Sequence, residues 1–489
     1  MTSMHNIVTN NSKAARYIGA GLTIVATLVV IRLFFGAGLL SNAHHSFFSL
    51  WSEDLIKDVY TTTYHTKYDS SYTHCTAMAY PYGEQYTYTG LQILVSAPLQ
   101  LLEKMGVKDA WKACLPLINF YIIISIFLCA LFLYLLLNEL KIPPIPSLLG
   151  AIGITFLMPQ IQRMGGHLTL SYLCVIPMAL YFIAKLHNTH HWKWSVFYGI
   201  LLIISSLSHP YYLAFLSDIS IVYMVYLLFT HKKNQWTIPQ IGWNFCLQFI
   251  LPVMVFFGLT SIGNIALDRT AIPNGMHQYR GRVEGLVFPF HRVYFDKEFG
   301  KLTGIHPTCW ETCCYIGIIA DISLAVWFVR IIIDLFHRRI TSLFRPTDSP
   351  LLNIFLWASI LLYLASSLVA NIITQNPILF DYISAFAQLR ALGRLLWLPF
   401  VSLNLLAVYW VWQWISKMDK KWCQIAVFSL VCLAYGYEVY THSKLSIYPQ
   451  AYPQWTDYDN KTPENQWVAQ INPSDYQAIL PLPIFHIGS

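Results

Sequence analysis

Apolar stretches long enough to cross about 30 Å of hydrocarbon recur along this chain. They lie near 16–40, 115–138, 143–161, 167–186, 194–208, 211–230, 240–264, 313–334, 351–373, 395–416 and 422–440. On length they predict about eleven transmembrane helices. The run from Leu168 to Phe229 is divided only by the His187–Lys193 segment and by His209–Pro210. The first span is longer than the apolar core of a cleaved leader, and no small-residue cleavage site follows it. One further apolar segment, Gly90–Met105 (GLQILVSAPLQLLEKM), is too short to span at 1.5 Å per residue. It predicts an interfacial helix lying on one leaflet.

Composition turns this pattern into a fold class. Of 489 residues only 11% are charged, against roughly 25% in an ordinary soluble domain, while 56% are hydrophobic. Mean hydropathy is +0.48. A water-soluble fold cannot cover that much apolar surface with so few charges. The chain is therefore expected to be an all-α polytopic membrane protein, and disorder, coiled coil, collagen-like repeats and a disulfide scaffold are excluded. In a soluble protein a net charge of +7 would suggest a nucleic-acid partner. Here the basic residues sit between spans and set topology, so no nucleic acid is expected. Lys13, Arg16, Lys141, the Lys185–Lys193 segment, Lys232, Lys233, Arg330, Arg338, Arg339, Arg345, Lys417, Lys420 and Lys421 fall on one side of an alternating path. The positive-inside rule makes that side cytoplasmic, with the N-terminus inside and the C-terminus outside.

The opposite side carries the larger segments Ser41–Cys114, Asp268–Thr312, Gln375–Arg394 and the tail from Thr441. The expected organisation is a transmembrane domain over 1–440, with a first outer loop at 41–114, a central outer loop at 265–312, and an extracytoplasmic tail at 441–489. Loops of that size imply a structured surface rather than mere connectors. Most of the ten cysteines lie within apolar runs and are expected to pack as small hydrophobes. Cys309, Cys313 and Cys314 cluster outside the bilayer, where a pairing with Cys75 is open; their spacing matches no metal site.

Polar residues gather at junctions on that same side. Glu53, Asp54 and Asp58 place three carboxylates within six positions, able to act as a general base or a cation ligand, or simply to form a solvated helix-capping patch. Tyr80-Pro81-Tyr82-Gly83-Glu84 marks a tight turn. The sequence GlnIleGlnArgMetGlyGlyHis at 160–167, SerHisProTyrTyr at 208–212, TyrArgGlyArgValGlu at 279–284, TrpGlu at 310–311 and GlnLeuArgAlaLeuGlyArg at 388–394 supply the other junctions. Arginine at a helix end commonly snorkels to headgroups. Five such junctions on one face, three with arginine, point to a shared site for an anionic lipid or substrate. The chain has no Walker loop, HExxH pair or GxSxG elbow. Intramembrane carboxylates are sparse, Asp218 and Asp321 being the main ones, and the two halves show no repeat, which disfavours an ion-coupled transporter.

This order of a first span, a long acidic loop with an interfacial helix, and ten or so further helices resembles the polytopic C-type (GT-C) glycosyltransferases. It looks closest to uncharacterised bacterial members near that superfamily, through EDLIKDVY, YHTKYDSSYTHC and YPYGE in the first loop, then GH, HPYY, WE…YIG and LRALGR. The resemblance covers most of residues 10–415. It implies transfer of a sugar from a polyprenyl-phosphate donor to a glycan or lipid acceptor at the extracytoplasmic face of the bacterial inner membrane. By that resemblance Asp54 is the catalytic base, with Glu53 and Asp58 as rivals; related loops carry a glycine beside the acid, which this chain lacks. Arg163, Arg280, Arg282, Arg390 and Arg394 are then candidate donor-phosphate contacts, and Tyr82, Glu84, His167, His209 and Glu311 candidate substrate contacts. No metal ligand set or certain cofactor is implied, and a divalent cation is compatible. A transporter or flippase of a lipid-linked or small polar substrate, and a non-catalytic envelope-assembly protein, are the alternative classes.

Overall fold

The computed structural model describes residues 12–35, 46–47, 53–262, 275–276, 278–289, 309–338, 346–376, 378, 389–446, 452–453 and 472. Thirteen helices organise them. These are α1 (Lys13–Phe34), α2 (Glu53–Tyr68), α3 (Ile93–Lys104), α4 (Cys114–Glu139), α5 (Pro144–Leu157), α6 (Val175–Thr189), α7 (Lys193–Ser208), α8 (Pro210–Thr230), α9 (Ile238–Ser261), α10 (Ile318–Phe336), α11 (Pro350–Ile373), α12 (Trp397–Ser416) and α13 (Lys421–Ser446). Two minimal antiparallel ladders accompany them. β1 (Ser46–Phe47) pairs with β4 (Tyr452–Pro453), and β2 (His74–Cys75) pairs with β3 (Glu84–Gln85).

Every apolar stretch expected to span contains a helix, but they are not equivalent. Among the described residues eight helices are long and apolar enough to cross a membrane, or nine if the bent pair Pro144–Leu157 and Pro159–Gly165 forms one span. Two expected spans fall outside that set. Helix α7 has only 16 residues, and α10 carries Asp321, Arg330 and Asp334. The chain is an integral membrane protein. Its lipid-facing surface is visible as exposed aliphatic side chains, such as Leu22, Val25 and Val29 on α1 and Val326 and Val329 on α10.

Proline decides where several helices begin and end. Residues before proline are driven out of the helical region, and His209 (φ −157°, ψ 134°) is extended ahead of Pro210, which opens α8. Met158 (ψ 130°) likewise breaks the chain ahead of Pro159, giving a 42° bend. Side chains cap other starts: the Ser12 hydroxyl accepts from Ala15 N, and Thr237 with Gln240 forms a reciprocal capping box at α9. The core lies where α4 packs on α5 and α6, with α8, α11 and α12 against one another. Trp397, fully buried, stacks on Phe215 at 5.7 Å.

The first loop is structured. Helix α2 packs on α3, and the Gln100 amide donates to the carbonyls of His65, Asp69 and Ser71. Helix α3 matches the expected interfacial segment closely and leaves Leu101 and Leu102 exposed. All ten cysteines are free thiols, so a Cys75 pairing with the 309–314 cluster is not formed. Most of the central loop and nearly all of the 441–489 tail beyond Ser446 lie outside the described residues.

Candidate active site

Four segments far apart in sequence meet at the end of the bundle that holds α2, here called the loop face. The two proline breaks deliver Arg163 and His167 after α5 and His209 before α8. A 3-10 turn, Trp310–Thr312, carries Glu311; another, Leu392–Leu396, carries Arg394. Gly393 allows these turns to touch. Its N–H donates to Tyr279 O at 2.5 Å, and a Cβ there would meet Glu311 O and Tyr279 O at 3.0 Å.

The centre is a buried ion triad. Arg394 donates from Nε to Glu311 Oε2 at 2.8 Å and from Nη2 to Oε1 at 2.5 Å, a bidentate fork. Arg163 Nη1 lies 3.0 Å from Glu311 Oε2. Side-chain exposure is 0% for Arg163, 4% for Glu311 and 9% for Arg394. Aromatic faces enclose both cations: Trp310 lies 4.2 Å from the Arg163 guanidinium, and Tyr211 5.1 Å from that of Arg394. Burial works to raise the Glu311 carboxyl, but Arg163 and Arg394 overcome it and hold the group down at about 2.

Towards the open edge the triad meets His167 and Asp54. His167 Nε2 is 3.8 Å from Glu311 Oε1 and 3.8 Å from Asp54 Oδ2, and its ring stacks at 14° on Trp310. Burial, followed by the Arg394 charge, lowers His167 to about 3, so the imidazole is neutral near pH 7. Asp54 is 46% exposed, and Lys57 donates to its Oδ1 at 2.9 Å. Partial burial raises the Asp54 carboxyl; His167 and Lys57 outweigh that and bring it below its ordinary value. With the imidazole neutral, Lys57 is the cation that matters there. Three cations thus face two carboxylates, an excess of positive charge suited to an anionic ligand.

The other expected site residues divide by position. His209 belongs to the cluster and uses Nδ1 to accept from Tyr211 N at 3.3 Å; burial, then Arg394 and His167, push it well below its ordinary value. Arg390, partly buried, lies within electrostatic reach of Tyr211. Arg280 instead hydrogen-bonds Asn371, and Arg282 is partly buried one position before Val283. Tyr82 and Glu84 stand on the β2–β3 turn, where His74 Nε2 contacts Tyr82 O at 2.9 Å. The Glu53 side chain lies outside the described residues. Arg163, expected at a phosphate, is sealed behind Trp310 and acts on Glu311.

Asp58 points inward and away from any ligand. Its Oδ2 accepts from Leu168 N at 3.0 Å, tying α2 to the turn that holds His167. The carboxyl is 99% enclosed beneath Gly90, whose positive φ and missing Cβ leave room for it. Burial pushes its pKa well above the usual carboxylate range, so the folded chain keeps a proton there that the unfolded chain releases. Such a contribution is complete below the ordinary carboxyl value and fades as pH rises through the folded one. Asp58→Asn is therefore expected to fold normally and to flatten the loss of stability with rising pH. Asp58→Ala, which strands Leu168 N, should cost about 1–3 kcal/mol. Unfolding midpoints measured as pH rises from the ordinary carboxyl value check this, and an unchanged slope in the Asn variant refutes it.

Tyr211, which accepts from Ala391 N at 2.7 Å beneath Arg394, was not evident from sequence beyond its place in the HPYY junction. Asp54, His167 and Glu311 are the residues from which a cation site would be built. Glu311 commits both oxygens to guanidiniums, and among the described residues no group of three or more His, Cys, Asp or Glu is placed to hold a metal. A separate apolar cavity of about 210 Å³ opens between α10, α11 and α12, lined by Val283, Leu286, Trp327, Trp357, Tyr363 and Leu403 among others.

A model of the family described as Domain of unknown function (DUF6311) matches residues 23–435. The chain belongs to that family. No curated protein matches it. Among solved structures this DUF6311 protein is similar to the oligosaccharyltransferase of Archaeoglobus fulgidus in its apo form, with a TM-score of 0.52 and 12% identity over 96% of this chain and 60% of that one. A second structure, the archaeal oligosaccharyltransferase AglB of the same organism in complex with an inhibitory peptide and a dolichol-phosphate, aligns at 14% identity and a TM-score of 0.44, over 97% of this chain and 61% of that one. The chain spans about three-fifths of the length of these structures. The helical fold of the DUF6311 chain is thus similar to that of this oligosaccharyltransferase.

Proposed function

We propose that this DUF6311 protein is a membrane glycosyltransferase that moves a sugar from a polyprenyl-phosphate donor to a hydroxyl of a glycan or lipid. The reading places the loop face on the extracytoplasmic side of a bacterial cytoplasmic membrane, N-terminus inside. The observation that carries it is the net-positive triad with an ionised, solvent-reaching Asp54 at its edge. Such a donor already bears its leaving group, so no nucleotide site is required. In the reaction the acceptor oxygen bonds to the anomeric carbon as the bond from that carbon to the phosphate oxygen breaks. The electron pair departs with the phosphate, and the acceptor proton passes to Asp54. Arg390 and the rim of Arg394 stabilise the growing phosphate charge, while Arg163 holds Glu311, and Glu311 holds Arg394 in place. The cavity behind Arg282 takes the first prenyl units.

Proteoliposomes holding the purified chain, a radiolabelled polyprenyl-phosphate hexose and an envelope-glycan extract test this. Label moving into glycan with release of polyprenyl phosphate supports the proposal; label crossing the bilayer with the donor intact would instead indicate a transporter. Arg390→Gln should raise the half-saturating donor concentration about ten-fold, the loss of one charge-assisted contact, and leave that of the acceptor unchanged. Equal shifts in both would make Arg390 structural.

A further inference from the structure

The triad and Asp54 leave one feature of the first loop unused, the YHTKY segment of α2. With Tyr60 one turn earlier, its tyrosines form a ladder whose ends, Tyr60 and Tyr68, are exposed and whose middle, Tyr64, is half-buried. Tyr60 and Tyr64 have ring centroids 5.8 Å apart, and Tyr64 and Tyr68 4.9 Å apart. Lys67 Nζ lies 4.9 Å from the Tyr68 ring and 4.6 Å from Trp111, carrying the aromatic surface on to the start of α4. At 100° per residue Lys57 falls on the same stripe as Tyr64, and Lys57 is the residue bonded to Asp54. The ladder therefore lies on the same helix as the proposed base and starts less than about two turns after it.

Its chemistry distinguishes it from a lipid-facing surface. Between the exposed rings α2 offers Thr63 and Lys67, whereas neighbouring α3 exposes Leu101, Leu102 and Met105. The charges nearby are already committed. Lys57 pairs with Asp54 and Lys112 with Asp109, while Lys104 donates to Ser70 O and lies over Tyr72. What remains is a row of phenol faces and hydroxyls about 6 Å apart along the helix, close to the length of one pyranose unit. Aromatic faces in this arrangement stack against sugar rings, and their hydroxyls bond sugar hydroxyls.

We infer that the Tyr60–Tyr64–Tyr68 ladder is a binding track for a neutral oligosaccharide chain, whose end it presents to Asp54. The identity of that chain as acceptor rests on the sugar-transfer reading; the binding itself does not. The test is binding without turnover. The intact chain in nanodiscs is titrated with maltohexaose, cellohexaose, mannohexaose and chitohexaose, and with the corresponding disaccharides, by saturation-transfer NMR. At least one hexaose should bind, more tightly than its disaccharide. Tyr64→Ala combined with Tyr68→Ala should weaken it about ten-fold, and Tyr64→Phe with Tyr68→Phe should retain most of the affinity. Binding by none of the four, or binding untouched by the double alanine variant, overturns the track. A track that binds in a chain that transfers no sugar would leave this inference standing and remove only the transferase reading.

Discussion

Glu311→Gln is expected to destabilise the folded chain by about 3–5 kcal/mol, the largest stability loss of any single polar change in the site. The two oxygens of Glu311 pair with two guanidiniums, and the residue is 4% exposed. An amide of the same shape keeps one acceptor but no charge, leaving Arg163 enclosed with no water to replace the carboxylate. The partner change decides between this account and a general packing defect. Arg163→Met in the Glu311→Gln background removes the fully enclosed cation and should recover part of the loss, since hydrophobic replacements of buried ions are tolerated better than half-broken pairs. Acid supplies an independent check. The group sits near 2 in the folded chain against an ordinary 4.5, so its contribution is complete above the ordinary value and is lost as pH falls towards 2. Glu311→Gln should lack that acid-dependent component. Unfolding in detergent, followed by circular dichroism from pH 2 to pH 5 (about the window set by the shift), measures both. Coincident curves for wild type and variant would show that Glu311 holds nothing together.

The triad also shows where reading the chain by itself stops. The helices were legible because long apolar runs and the His209–Pro210 break are local signals, and Gly90–Met105 gave α3 by length alone. The same locality fails for α7, whose run is apolar but ends after 16 residues, and for the π turns at Cys246–Ile250 and Ala365–Val369, which leave no periodic trace. Polar groups at span ends are conspicuous, so sequence raised Arg163, His167, Glu311 and Arg394, and the fold brings these four together. Sequence could not sort them. Arg394 meets Glu311 across 83 positions, and an arginine at a helix end reads the same whether it snorkels to headgroups or is sealed behind Trp310. Asp54 and Asp58 are one helical turn apart and chemically identical; only the packing of Gly90 and Leu168 over Asp58 separates a solvent-reaching acid from an internal one.

Asp54→Asn is expected to lower sugar transfer by about 10²–10⁴-fold, the range for loss of a positioned general base, while leaving the fold intact. Stability should change little because the carboxylate is half exposed and its pair with Lys57 is of the surface kind, worth about 0–1 kcal/mol. That separates it from Glu311→Gln, in which activity and stability fall together. A base held below the ordinary carboxylate value is ionised throughout the neutral range, so the rate should be flat there and decline only in acid. His167 is neutral over the same range and adds no second limb near pH 6.5, the ordinary imidazole value. Lys57 sets the position of the acid limb: Lys57→Met withdraws the ammonium that favours the carboxylate, so the limb should move to higher pH with the plateau rate largely kept. Rates of label transfer from the polyprenyl-phosphate donor, measured against pH for wild type and both variants, read this out. Full activity in Asp54→Asn would take the proton-accepting role away from Asp54, and Asp58, enclosed and already protonated, has no geometry with which to assume it.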